Sequence, residues 1–80
     1  MVVNLEEHKV LITTPFITLG QLLKMEDIIG SGGQAKWYLR EHSLEVNDEP
    51  EDRRGKKLYP NDTVNIPGEG LFLIRSRREE

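Results

Sequence analysis

The stretch from Ser31 to Lys57, SGGQAKWYLREHSLEVNDEPEDRRGKK, limits the fold more than any other, because it reads as a helix, a strand, a tight turn and a basic loop in immediate succession. Ser31 with Gln34 three residues later forms a capping-box pattern, so a helix is expected to begin there with backbone N–H groups exposed at Gly32 and Gly33. At about 100° per residue, Ala35, Tyr38, Leu39 and His42 share one helix face, and Gly33, Lys36, Trp37 and Arg40 share the opposite one. The first face packs and the second can touch a partner. Leu44 and Val46 alternate around Glu45 as a half-buried strand, and Asn47-Asp48 supplies a turn whose residues tolerate positive φ.

The flanking segments supply partners for these elements. Lys9 to Thr13 (KVLIT) reads as a short apolar strand that Thr14-Pro15 ends, since a residue before proline favours extended geometry. Thr18 and Gln21 make a second capping box, and Leu19, Leu22 and Leu23 form the apolar stripe of a short helix. Ile28 and Ile29 before Gly30 complete a helix–loop–helix, neither helix being long enough to stand without packing. Glu49-Pro50-Glu51-Asp52 is expected to be a turn or an edge segment, because proline cannot donate into a ladder. Leu58, together with Tyr59, is expected to return to the core. Pro60-Asn61-Asp62 and Pro67-Gly68-Glu69-Gly70 mark turns around a strand at Thr63–Ile66, with Val64 and Ile66 on one face. A continuous apolar strand follows at Leu71–Ile74, and the charged ending Arg75–Glu80 is expected to fray. The sum is an α+β fold, two short helices on a small, mostly antiparallel sheet. The 80 residues are expected to form a single domain, with strands at 9–13 and 71–75 extending a core at 17–66.

Composition removes several function classes. A chain of 80 residues buries about 60% of its unfolded surface, which leaves no room for a catalytic cleft between lobes. It has no cysteine, so disulfides and thiolate metal sites are excluded and a reducing cytoplasm is expected. No apolar run approaches the roughly 18 residues of a membrane span, and MVVNLEEHK lacks the basic start and long apolar core of a signal peptide. His8 and His42 are far apart, Glu26-Asp27 are adjacent rather than on one helical face, and no serine sits in a nucleophile elbow. Gly30-Ser31-Gly32-Gly33 lacks the Gly-Lys-Ser/Thr of a phosphate loop. Catalysis, a cofactor and a metal are therefore not expected.

Charge is segregated along the chain. The net charge is −3, yet Glu41 to Asp52 holds six acids and no Lys or Arg, and Arg53 to Lys57 holds four bases and no acid. Arg53, Arg54, Lys56 and Lys57 repel one another unless something anionic lies nearby, either the acidic run before them or a nucleic-acid backbone. Two further features suit phosphate. The helix start at Gly32-Gly33 can offer unpaired N–H groups, although the glycines can equally serve only to bend the chain. Lys36 and Arg40, one turn apart, project from the same side, with a solvated basic face as the plainer reading. Trp37 could stack on an unpaired base, but the expectation is that the N-terminal or C-terminal strand covers it.

These pieces together resemble the RNA-binding domain of the ribosomal protein S-four type, the alpha-L RNA-binding motif. That family carries a leucine-bearing helix, then Ala-basic-x-apolar-apolar on a second helix, then V-x-V-N-G, then a Pro-Ser-like loop, and an apolar residue and Gly-Asp before the last strand. The corresponding places are Leu19, Leu22 and Leu23; Ala35-Lys36-Trp37-Tyr38-Leu39; Leu44-Glu45-Val46-Asn47-Asp48; Arg54-Gly55; and Leu58 with Asn61-Asp62. ITLGQLLK, GGQAK and RRGKKL are most similar to the small stand-alone YaaA-like members. The resemblance implies a monomeric, non-catalytic binder of structured RNA, with ribosomal RNA or a ribosomal particle in large-subunit assembly as the expected partner. It places RNA contacts at Lys36, Arg53, Arg54, Lys56 and Lys57, to which the residue reading adds Arg40 and the Gly32 and Gly33 amides. Two positions depart from the family: Gly32 stands where many members have a basic residue, and Asp48 where the turn glycine is usual. The alternative reading is a protein-interaction adaptor that docks by its acidic run and sheet edge.

Overall fold

Breaks at proline, glycine and asparagine cut the chain into short elements, none of which can bury its apolar side alone. In the computed structural model, which describes residues 7–79, these are β1 (Glu7–Ile12), β2 (Ile17–Thr18), α1 (Leu19–Met25), α2 (Gln34–Glu41), β3 (Leu44–Val46), β4 (Glu49–Glu51), β5 (Lys57–Leu58), β6 (Thr63–Ile66), β7 (Gly70–Ser76) and a 3₁₀ turn at Arg77–Glu79. Five strands form one sheet in the order β1-β7-β6-β3-β4, and β2 pairs with β5 separately. The β1–β7 pair is parallel, and the other pairings are antiparallel.

Strand alternation decides which side meets the helices. Val10 and Ile12, Phe72 and Ile74, Val64 and Ile66, and Leu44 and Val46 are buried in one cluster with Leu19, Leu22, Leu23, Ile29, Ala35 and Leu39 of the helical half. The intervening residues Leu11, Asn65 and Glu45 are exposed or half-buried, so one face of the sheet carries the core. The turn at Asn47-Asp48 has φ of 53° and 68°, as expected of the pair. Asn47 does more than turn: its Oδ1 accepts from Thr63 N at 3.0 Å and its Nδ2 donates to Asp62 Oδ1 at 3.1 Å. Asp62 Oδ2 in turn accepts from Tyr59 N at 2.7 Å. These bonds tie the hairpin to the start of β6.

Several expectations need correction. β1 begins at Glu7 and ends at Ile12, and β7 runs on to Ser76 because Leu11 and Ile12 pair with Arg75 and Ser76. The charged ending therefore stays in the sheet for two residues and then makes the 3₁₀ turn rather than fraying from Arg75. Tyr59 is 47% exposed, its ring tilted against Phe16 at 5.6 Å, and Leu58 alone returns to the core. His42 is exposed at the end of α2, stacked on Tyr38 at 4.3 Å, since the helix stops before its face would turn inward again. Trp37 is 59% exposed, so neither terminal strand covers it, and β1 and β7 are both engaged in the sheet.

Candidate nucleic-acid interface

A helix start leaves backbone N–H groups without partners. At α1 the Thr18–Gln21 capping box forms as expected: Thr18 Oγ1 accepts from Gln21 N at 3.2 Å, and Gln21 Oε1 accepts from Thr18 N at 2.8 Å. The basic loop satisfies the next two donors. Leu19 N donates to Lys56 O and Gly20 N to Arg54 O, both at 2.8 Å. Lys56 N closes the loop on Arg53 O, and β5 then pairs with β2. The backbone from Arg53 to Lys57 is thus held against α1, with the side chains of Arg53, Arg54 and Lys57 exposed and Lys56 half-buried. Gly20 permits this approach: a Cβ there would lie 3.3 Å from Arg54 O and 3.6 Å from Ala35 Cβ.

The cations of the loop have unequal surroundings. Arg53 is bound by Glu51, whose carboxylate accepts from Arg53 Nε at 2.9 Å, Nη2 at 3.2 Å and backbone N at 3.1 Å. Neutralisation by the acidic run thus applies to Arg53. Among the described residues, Arg54, Lys56 and Lys57 have no carboxylate within 4.0 Å. Lys57 Nζ sits 4.9 Å from the centre of the Phe16 ring. On α2, Lys36, Trp37 and Arg40 are all exposed, with Arg40 Cζ 5.4 Å from the Trp37 ring centre.

A groove of about 480 Å³ runs between the two helices and the loop, lined by Gly20, Lys24, Gly32, Ala35, Arg54 and Gly55 among others. It brings Gly32 and Arg54 to one place. Arg40 lies elsewhere, on a second cleft of about 460 Å³ bordered by Pro50, Glu51 and Asp52. The Ser31–Gln34 capping box does not form. The N-cap of α2 is Gly33 in helical geometry, and Gln34 Oε1 accepts instead from Gly30 N. Gln34 N and Ala35 N donate to the Ser31 and Gly32 carbonyls, so a tight turn rather than a side chain satisfies them.

The S4 domain family matches residues 10–74. The chain belongs to that family. The probable ribosome maturation protein RlbA of Bacillus subtilis (strain 168) is 59% identical to it over 63 residues, which are 79% of this chain and 89% of that relative. The resemblance carried by the helix, turn and basic-loop motifs is thereby borne out, as is the architecture of two helices on a small sheet.

Two residues of this S4 domain's groove escape a reading by motif. Lys24 lines it from the last turn of α1, and Gly20 forms its floor one turn earlier. Their signal is the i, i+4 spacing of Gly20 and Lys24 on the flank of α1 beside the leucine stripe. Glu51, on the second cleft, also escapes it, since its role rests on its bonds to Arg53.

The Arg53 guanidinium and backbone N–H, outweighing partial burial, hold the Glu51 carboxyl down at about 2. A carboxylate whose folded pKa is depressed adds stability that is complete above its unfolded value near 4.5 and is lost as pH falls through the folded one. Glu51→Gln is therefore expected to flatten the decline in stability between about pH 4.5 and 2, measured by urea unfolding at a series of pH values. An unchanged decline would show that other carboxylates dominate acid unfolding.

Proposed function

We propose that this S4 domain is a non-catalytic protein that binds structured ribosomal RNA and acts in maturation of the large ribosomal subunit, as a cytoplasmic monomer. The observation that carries the reading is the loop from Arg53 to Lys57, whose backbone is clamped to α1 while Arg54, Lys56 and Lys57 have no carboxylate partner among the described residues. Cations held in a fixed frame neutralise phosphates with little loss of chain entropy on binding. Lys36 and Lys24 extend the same charge from α2 and α1. Gly32 lines the groove, and the Gly32 and Gly33 N–H groups before α2 can meet a phosphate there. Arg53, neutralised by Glu51, orders the loop more than it attracts RNA. Membership of the family and the name of the Bacillus subtilis relative support the ribosomal setting.

A-form RNA presents mainly phosphates and 2′-hydroxyls to such a surface, so shape and charge carry recognition. The test is binding to purified large and small ribosomal subunits and to their naked RNAs across a salt series. Retention on the large subunit or its RNA, with log-affinity falling linearly against log salt, is the expected result. Equal binding to both subunits would overturn the large-subunit assignment. Indifference to all RNA would move the reading to the protein adaptor that docks by its acidic β3–β4 hairpin.

A further inference from the structure

The exposed face of α2 carries a feature that phosphate binding does not use. Trp37 is the single tryptophan of the chain, and it is 59% exposed while smaller apolar residues fill the core. It shares this face with Lys36 and Arg40, which are exposed and have no carboxylate within 4.0 Å among the described residues. The Arg40 guanidinium lies 5.4 Å from its ring centre. An indole with two such cations on the same face suits a flat ring that carries its own anion. An apolar peptide would cover the ring and leave both cations without a counter-charge, whereas a nucleotide answers both.

We propose that Trp37 is a stacking platform for one unpaired base of the bound RNA, with Lys36 and Arg40 engaging the phosphates on either side. The proposal rests on the RNA-binding reading above and deepens it. The RNA that this chain selects then contains a bulge, loop or end beside a helix, because a fully paired duplex keeps its base faces inside the stack. Every base has a π-face, so the platform selects for unpaired character rather than for one base identity.

The single tryptophan makes this directly readable, since a base stacked on an indole quenches its fluorescence. The full chain is titrated with a stem-loop RNA and with the same stem as a blunt duplex, following emission and, separately, affinity by labelled RNA. The stem-loop is expected to quench Trp37 and the duplex to leave it bright. Trp37→Ala is expected to weaken stem-loop binding by about 5- to 150-fold and to leave duplex binding within about twofold, while Trp37→Phe retains most of the affinity. Circular dichroism of each variant checks that the fold persists. Salt-sensitive binding of the stem-loop without quenching, equal quenching by the duplex, or an unchanged Trp37→Ala affinity overturns the platform and leaves the RNA reading standing. Binding of neither RNA at low salt overturns both.

Discussion

Replacing Arg54, Lys56 and Lys57 together by alanine is expected to weaken binding to ribosomal RNA by roughly 100-fold near physiological salt, at about 1 kcal/mol for each phosphate no longer neutralised. The same variant should show a salt slope shallower by about 2–3, because each neutralised phosphate adds roughly 0.7–0.9 to that slope. The backbone bonds that position the loop use carbonyls of Arg54 and Lys56, which alanine retains, so the fold and the groove should survive. Arg53→Ala alone is the informative contrast. Its guanidinium is taken by Glu51, and its loss is expected to change the affinity less than about threefold. Filter binding or electrophoretic mobility across a salt series measures both. An unchanged slope in the triple variant would remove the loop from the interface, and a large effect of Arg53→Ala would mean that RNA displaces Glu51.

Gly20→Val is expected to lower the melting temperature by about 10 °C, through a loss on the order of 2 kcal/mol. Any Cβ at Gly20 meets Arg54 O at 3.3 Å, Arg54 Cβ at 3.5 Å and Ala35 Cβ at 3.6 Å, and the two branches of valine need room beyond that. The loop must move away from α1, which breaks the 2.8 Å bond from Gly20 N to Arg54 O and shifts the cation with it. RNA affinity should therefore fall along with stability. Gly20→Ala separates the effects: one methyl needs a shift of only a few tenths of an ångström, and helix propensity returns up to about 1 kcal/mol. Its melting temperature is expected to stay within a few degrees of wild type. Calorimetry or thermal circular dichroism decides, and a valine variant as stable as wild type would show that the loop is not held by this close approach.

Much of this architecture is legible in the chain because its causes are local. The Thr18–Gln21 box needs only residues three apart, and the Leu19, Leu22 and Leu23 stripe needs one turn of helix. The Asn47-Asp48 turn depends on side chains that tolerate positive φ, and the Val64 and Ile66 alternation on the two-residue period of a strand. Where a local signal has a competitor, it fails. Ser31 is a sound cap by spacing, yet the Gln34 amide that would complete the box is engaged by Gly30 N, and the turn carbonyls meet the first helical donors.

The candidate interface divides along the same line. The clustering of basic residues in the loop is a property of the chain itself, and so is the presence of Lys36, Trp37 and Arg40 on one face of α2. Which of those cations is neutralised is not. Arg53 differs from Arg54 only because β4 ends where Glu51 can reach it, and Arg40 borders the acidic cleft because α2 packs beside the hairpin. Gly32, Gly20, Lys24 and Arg54 come from three separate segments and meet once α1, α2 and the loop dock on one another. The two helices, the longer strands and the family could be read from the residues alone, since they follow from neighbours a few positions apart. The groove and the exposure of Trp37 could not. They arise where distant segments pack together, and burial belongs to the packed chain rather than to any one stretch of it.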